Sequence, residues 1–148
     1  MADTAFEVPD PDPLRLKGKM AVAILDPNAP GTPVNILDSD HAWAVKVDWE
    51  LDGSTAPFLG GTFHVKAFVD DVDGVAPSSG QIGASDVPVG AFNGVLPRTY
   101  TTTMNIAAGA VQPGLYRLVV AITYDNGNTL NLAAFAESGI IQVYQDQP

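Results

Sequence analysis

The stretch HAWAVKVDWEL, residues 41–51, alternates apolar and polar side chains with a period of two. Because successive side chains of a β-strand point to opposite faces, this pattern predicts a strand with one buried and one exposed face. Lys46 and Glu50 lie on the predicted exposed face. The predicted buried face carries Trp43, Val45, Val47, Trp49 and Leu51.

Five further runs show similar alternation, and they cover residues 19–25, 62–70, 100–108, 114–124 and 129–144. Clusters of Gly, Pro, Asn and Asp separate the runs, as is typical of turns, and no segment carries the 3.6-residue apolar period of a helix. The sequence therefore predicts an all-β fold, an antiparallel β-sandwich of about seven strands. The predicted core includes Trp43, Val45, Val47, Tyr116, Leu118, Val120 and Ile122.

The run PGLYRLVV, residues 113–120, resembles the sixth strand of immunoglobulin-like domains. In those domains a Gly and a Tyr stand two residues apart, and an inward core position follows two residues later. Gly114, Tyr116 and Leu118 have this spacing. The resemblance implies an immunoglobulin-like sandwich with a tyrosine corner, in which the Tyr116 hydroxyl bonds to backbone a few residues upstream.

The chain divides into an arm and one domain. Residues 1–17 are rich in Asp and Pro, which favours an extended path outside the core. Residues 18–148 suit a single β-sandwich domain, since 46% of the chain is hydrophobic and can form one core. Near its end, Asn126 and Gly127 stand between two alternating runs and predict a hairpin turn.

The charge balance excludes several classes of partner. Asp and Glu outnumber Lys and Arg by 17 to 7, and the formal net charge is −10. Phosphate contacts are made mostly by Lys and Arg, so we expect neither a nucleic-acid partner nor an anionic membrane surface. The sequence shows no signal peptide and no apolar run long enough to span a membrane. We expect a soluble cytoplasmic protein, or one exported without a cleaved signal peptide.

The residues needed for common enzyme chemistries are scarce. There is no cysteine, and the only histidines are His41 and His64. No G-x-S-x-G turn, S-x-x-K motif or phosphate-binding loop is present. A glycosidase needs two carboxylates across a cleft, whereas Glu50 belongs to an alternating strand face that is typical of solvated surface. We therefore predict that the protein is not an enzyme and binds no cofactor, calcium excepted.

Calcium is the one metal for which the sequence offers ligands, because Ca²⁺ takes Asp carboxylates and loop carbonyls. Immunoglobulin-like connections would bring the loop VDDVDG to the same end as the loop after the first strand, which carries three further Asp residues. Two interpretations stay open, namely a cation site and Asp serving only as a turn residue in splayed loops. The candidate ligands are Asp26, Asp38, Asp40, Asp70, Asp71 and Asp73.

A second candidate site is apolar. If Tyr116 and Leu118 point inward, the outward side of the same strand is less polar than a solvated face should be. In an immunoglobulin-like sandwich the neighbouring strands share this sheet, which predicts a contiguous apolar patch. The patch is either an interface or a surface buried within the monomer by residues 72–97. Its predicted members are Phe68, Val119, Ala121 and Phe135.

The sequence thus favours a non-catalytic protein-interaction or structural assembly module. We expect it to self-associate as a homo-oligomer, or to dock into a larger assembly, through a sheet face with the Pro/Asp arm as a second contact. The alternative is a calcium- or carbohydrate-binding domain that uses the Asp-rich loops, and an enzyme of unfamiliar type is a third class.

Overall fold

A computed structural model describes residues 4–5, 16–26, 36–72, 74, 79–125 and 133–145. Within these residues the chain forms strands and one 3₁₀ turn, Ala56–Phe58. The strands are β1 (Thr4–Ala5), β2 (Lys17–Leu25), β3 (Ile36–Asp38), β4 (Trp43–Asp52), β5 (Thr62–Asp71), β6 (Gly80–Pro88), β7 (Arg98–Ile106), β8 (Gly114–Asp125) and β9 (Ala133–Tyr144).

The strands form two sheets that pack face to face. A four-stranded sheet has the order β1-β2-β4-β7, and a five-stranded sheet has the order β3-β9-β8-β5-β6. Neighbouring strands are antiparallel, apart from β3, which runs parallel to β9. The predicted fold class, an antiparallel immunoglobulin-like β-sandwich, is confirmed, with nine described strands where about seven were predicted. The predicted turn at Asn126 and Gly127 lies outside the described residues, although the strands on either side of it pair with each other.

The core lies between the two sheets, where the sequence alternation predicted it. Trp49 packs edge-on against Phe63, with 5.4 Å between ring centroids, so the aromatic residues of β4 and β5 join the sheets. All seven predicted core residues belong to this cluster, and each is at most 4% exposed: Trp43, Val45, Val47, Tyr116, Leu118, Val120 and Ile122.

The structure differs from the prediction at the N-terminus. Thr4 and Ala5 pair with β2, so part of the arm adds to the edge of the four-stranded sheet. Leu16 is 2% exposed and lies in the core, and Lys17 already begins β2. The predicted arm is therefore too long at its C-terminal end, because the apolar Leu16 gains more from burial than from an extended path in water.

A buried arginine organises one end of the sandwich. Arg98, at the start of β7, is 6% exposed, and its guanidinium donates to four backbone carbonyls. The acceptors, at 2.9 to 3.1 Å, are Ala56 O, Leu59 O, Val89 O and Gly90 O. Two loops that are far apart in sequence are thereby tied to one side chain.

The predicted tyrosine corner is present. The Tyr116 hydroxyl donates to the Gln112 carbonyl at 2.7 Å, while the ring is fully buried in the core. This bond fixes the chain where it enters β8.

Replacing Tyr116 with Phe keeps the ring and removes this hydrogen bond. We expect the free energy of unfolding to fall by about 1 kcal/mol, the usual net value of such a bond. Urea denaturation measures the loss, and Tyr144→Phe on the 42% exposed Tyr144 provides the control. An equal effect in both variants would show that the corner contributes nothing specific.

Candidate interaction surface

The predicted patch lies on the outer face of the five-stranded sheet. Phe68 of β5 stands directly opposite Val119 of β8, and Ala121 follows two residues along β8. All three side chains are half-buried. Phe135 is opposite Ala121 in the backbone register, but its side chain lies outside the described residues. The structure therefore brings three predicted residues together and places the fourth on the neighbouring strand.

Three apolar residues outside the predicted patch are more exposed than its described members. Ile36 is 57% exposed, Ile140 50% and Leu115 38%. Ile36 and Leu115 both stand opposite Gln142, one from β3 and one from β8. We call the following set the apolar face: Ile36, Phe68, Leu115, Val119, Ala121 and Ile140.

A bulge in β9 explains why Ile140 was missed. Between Arg117 and Val119 the register of β8 against β9 shifts, and Gly139 adopts a φ of 88°. The extra residue reverses the alternation, so Ile141 is fully buried and Ile140 faces outward. Strict alternation from Phe135 would place Ile141 outward and Ile140 inward. The signal for a bulge in the sequence was a Gly directly before two isoleucines, since Gly within a strand often marks a bulge.

Polar residues lie within the apolar face and beside it. Arg117 of β8 stands between Ile140 and Asp70 in the register, and between Leu115 and Val119 along the outward side of its own strand. Towards the other end of the sheet, His64 Nδ1 lies 2.7 Å from Asp86 Oδ1. The apolar face is therefore interrupted by one charged side chain, and arginine is among the residue types enriched in protein interfaces.

The connection between β5 and β7 does not cover the apolar face in its described part. Residues 80–88 form β6, which extends the same sheet beside β5, and Val89 turns inward to become 3% exposed. Sequence reasoning missed β6 because an edge strand with exposed side chains shows no apolar alternation. Residues 75–78 lie outside the described part of the chain.

The candidate calcium ligands that the structure describes, all except Asp73, form no metal-binding cluster. Among the described residues, no group of three or more His, Asp or Glu side chains is placed to hold a metal ion. Asp38 Oδ1 accepts from the Asp40 backbone N–H at 2.9 Å, and Asp71 Oδ1 accepts from the Gly74 N–H at 2.8 Å. Both contacts are typical of turns, which agrees with the interpretation that these Asp side chains serve as turn residues.

Among the described residues, the remaining candidate ligands do not complete a metal-binding cluster. Asp26 follows the end of β2, and Asp70 is exposed on β5 opposite Arg117. Asp73 lies outside the described residues. Calcium binding by this end of the sandwich therefore stays a hypothesis that no contact in the described structure supports.

Comparison with known proteins does not assign the chain to a family. The sequence matches no protein-family model and no curated protein. Among solved structures, a β-glucosidase from Listeria innocua in complex with glucose shares 13% identity and a TM-score of 0.48, over 85% of this chain and 16% of that one. The β-glucosidase EmGH1 from Erythrobacter marinus shares 12% identity and a TM-score of 0.49, over 86% and 16%.

The CARDB domain of the PF1109 protein from Pyrococcus furiosus, in complex with di-metal ions, matches over 87% of this chain and 96% of its own, with 16% identity and a TM-score of 0.47. Similarities at this level carry no inference about function. The strand order and the tyrosine corner themselves define the chain as an immunoglobulin-like β-sandwich module. The described residues include no helix of the length and apolarity that a membrane span requires.

Proposed function

We propose that this β-sandwich is a non-catalytic assembly module that associates with a second copy of itself through the apolar face. The observation that carries the proposal is the set of six apolar side chains that the sheet register places on one outer surface, around Arg117 and Gln142. In a variant of this function, the same face docks into a larger assembly and its partner is a different protein.

The energetics of such a contact are favourable in principle. Each Å² of apolar surface removed from water contributes roughly 25 cal/mol. A specific interface buries about 800 Å² per partner, although loss of rigid-body freedom and side-chain ordering consume much of the gross gain. The five strands form one continuous sheet. Ile36 and Ile140 on this sheet are already exposed, so a partner could cover them without a rearrangement of the chain.

The surroundings of the two histidines support the non-catalytic part of the proposal. His41 lies 3.4 Å from Asp38 and His64 pairs with Asp86, so each imidazole contacts an acidic neighbour on the surface. Two surface depressions, of about 370 and 530 Å³, contain neither histidine in their lining. A general base needs a cleft in which a nucleophile or substrate can reach it.

Lysine substitutions on the apolar face test the proposal. In Val119→Lys with Ile140→Lys, repelling charges face each other across a self-contact while the core residues stay unchanged. We expect light scattering to show an oligomer for the native chain and a folded species of lower mass for the double variant. Thr101→Lys with Thr103→Lys adds the same charge to the outer face of β7, and we expect it to keep the native mass.

An unchanged oligomer in a folded Val119→Lys, Ile140→Lys variant would move the contact to another surface. A native chain that stays monomeric at high concentration would exclude self-association through the apolar face. Only the foreign-partner form of the proposal would then remain.

A further inference from the structure

The loop of residues 89–97 joins β6 to β7 and is held in place where it leaves β6. The Val89 N–H donates to Gly61 O at 2.9 Å, and the Arg98 guanidinium donates to the carbonyls of Val89 and Gly90 at 3.1 and 2.9 Å. Among the described residues, no backbone–backbone hydrogen bond involves the rest of this loop, and most of it is exposed. The middle of the loop can therefore rotate about its backbone bonds without breaking the pairing of either sheet.

The pair Asn93-Gly94 lies in this middle part of the loop. The Asn93 side-chain oxygen Oδ1 accepts a hydrogen bond from the Val95 backbone N–H at 3.0 Å. The ring of atoms that this bond closes contains both the Asn93 side-chain carbon Cγ and the Gly94 backbone nitrogen. The carboxamide is thus folded back along the peptide bond that follows it.

The surroundings of this pair favour attack of the Gly94 nitrogen on Asn93 Cγ, which closes a succinimide ring. Gly94 has no Cβ beside the attacking nitrogen, its φ is 87°, and the space around its Cα is open. Among the described residues, no backbone carbonyl accepts from the Gly94 N–H. The Val95 N–H donates to the oxygen on which negative charge develops, as the donors of an oxyanion hole do.

We propose that Asn93 is a site of spontaneous covalent modification, at which the side chain deamidates through a succinimide to aspartate and isoaspartate. The Gly94 nitrogen loses its proton to solvent base and bonds to Asn93 Cγ. The C–N bond of the carboxamide then breaks, and its nitrogen takes a proton and leaves as ammonia. Water opens the ring at Cγ to give aspartate, or at the backbone carbonyl carbon of residue 93 to give isoaspartate, and nothing is oxidised or reduced.

Both products change the loop. Each adds a carboxylate to a segment, VGAFNGVLP, that has none. Isoaspartate also lengthens the backbone between Gly90, whose carbonyl Arg98 holds, and the start of β7. The proposal does not rest on self-association through the apolar face, because the reaction takes place within one chain.

Asn105 provides an internal comparison. It is exposed on β7, but its backbone is paired with Ala44 of β4 in a regular register. The next residue, Ile106, is 1% exposed and β-branched, so its side chain crowds the nitrogen that would attack. We expect Asn105 to persist under conditions in which Asn93 reacts.

The test is incubation of the full chain at neutral pH and physiological temperature, followed by peptide mapping with mass spectrometry that separates aspartate from isoaspartate. We expect Asn93 to convert at least about tenfold faster than Asn105, since its reacting groups are held close together. Conversion should yield both products and accelerate as the pH rises, because the attacking nitrogen must lose its proton. Mapping assigns each product to its residue, which matters because Asn-Gly recurs at 126–127 and Asp-Gly occurs at 52–53 and 73–74.

A matched pair of glycine variants separates the role of Gly94 from backbone strain. Gly94→Ala places a Cβ beside the attacking nitrogen and should slow conversion of Asn93 at least about tenfold. Gly90→Ala puts an alanine at a similar positive φ, 74°, in the same loop, and we expect it to leave the rate unchanged. Asn93→Gln, with a longer side chain, should abolish conversion at this position. Circular dichroism checks that each variant is folded.

Four results would overturn the proposal. Asn93 that persists as long as Asn105 would show that the loop does not promote the reaction. Conversion to aspartate without isoaspartate would indicate direct hydrolysis by water. Equal slowing by Gly94→Ala and Gly90→Ala would trace the rate to loop strain. A rate in the native chain more than about tenfold below that in guanidinium chloride would mean that folding protects Asn93.

Discussion

Replacing Arg98 with Met lowers the free energy of unfolding by about 3 to 5 kcal/mol, the largest effect that we expect from a single substitution. The methionine fills part of the volume but donates no hydrogen bond. The carbonyls of Ala56, Leu59, Val89 and Gly90 then lose their shared donor, and each buried acceptor without a partner costs about 1 to 3 kcal/mol. Water that reaches the more exposed carbonyls would replace some of the lost hydrogen bonds, so the total loss is smaller than the four costs added together.

The geometry of the guanidinium makes Lys a poor replacement. Lysine keeps the charge, but its single ammonium cannot span carbonyls on both loops as the planar fork of Arg98 does. We expect Arg98→Lys to lose about 2 kcal/mol or more in urea denaturation, and Lys66→Met on an exposed position of β5 to lose less than about 0.5 kcal/mol. A loss below about 1 kcal/mol for Arg98→Met would mean that the loops do not depend on this side chain.

Leu118→Ala lowers the free energy of unfolding by about 2 to 5 kcal/mol, the usual range for emptying a buried leucine site. Leu118 is fully buried on β8 and faces the opposite sheet. Val119, the next residue, is half-buried on the outer side, so Val119→Ala should cost less than about 1 kcal/mol. A larger loss for Val119→Ala than for Leu118→Ala would reverse the inward and outward sides of β8 and remove the basis of the apolar face.

Alternation alone predicted the parts of the fold in which one face is buried. β4 and β8 each have a run of buried residues spaced by two, and the Gly114-Tyr116 spacing predicted the tyrosine corner. Neither β6 nor the outward position of Ile140 was predictable in this way. An edge strand need not bury a face, and a bulge at Gly139 reverses the period in β9.

The burial of Arg98 depends on contacts that no local pattern contains. Its acceptors come from residues as far as 42 positions away, and arginine side chains are mostly exposed in folded proteins. The candidate calcium ligands show the opposite case. Asp38 and Asp71 accept hydrogen bonds from local backbone donors, as the turn preference of Asp predicts, and calcium binding stays a prediction.

A single-cysteine cross-linking measurement examines whether the apolar face joins two copies. The chain has no cysteine of its own, so Ile140→Cys places one thiol on the apolar face, and Thr101→Cys places one on the exposed outer side of the other sheet. With a short bis-maleimide, we predict that Ile140→Cys yields a covalent dimer in proportion to the non-covalent oligomer, while Thr101→Cys stays largely monomeric. Equal cross-linking from both positions, or a dimer from Thr101→Cys alone, would contradict self-association through the apolar face.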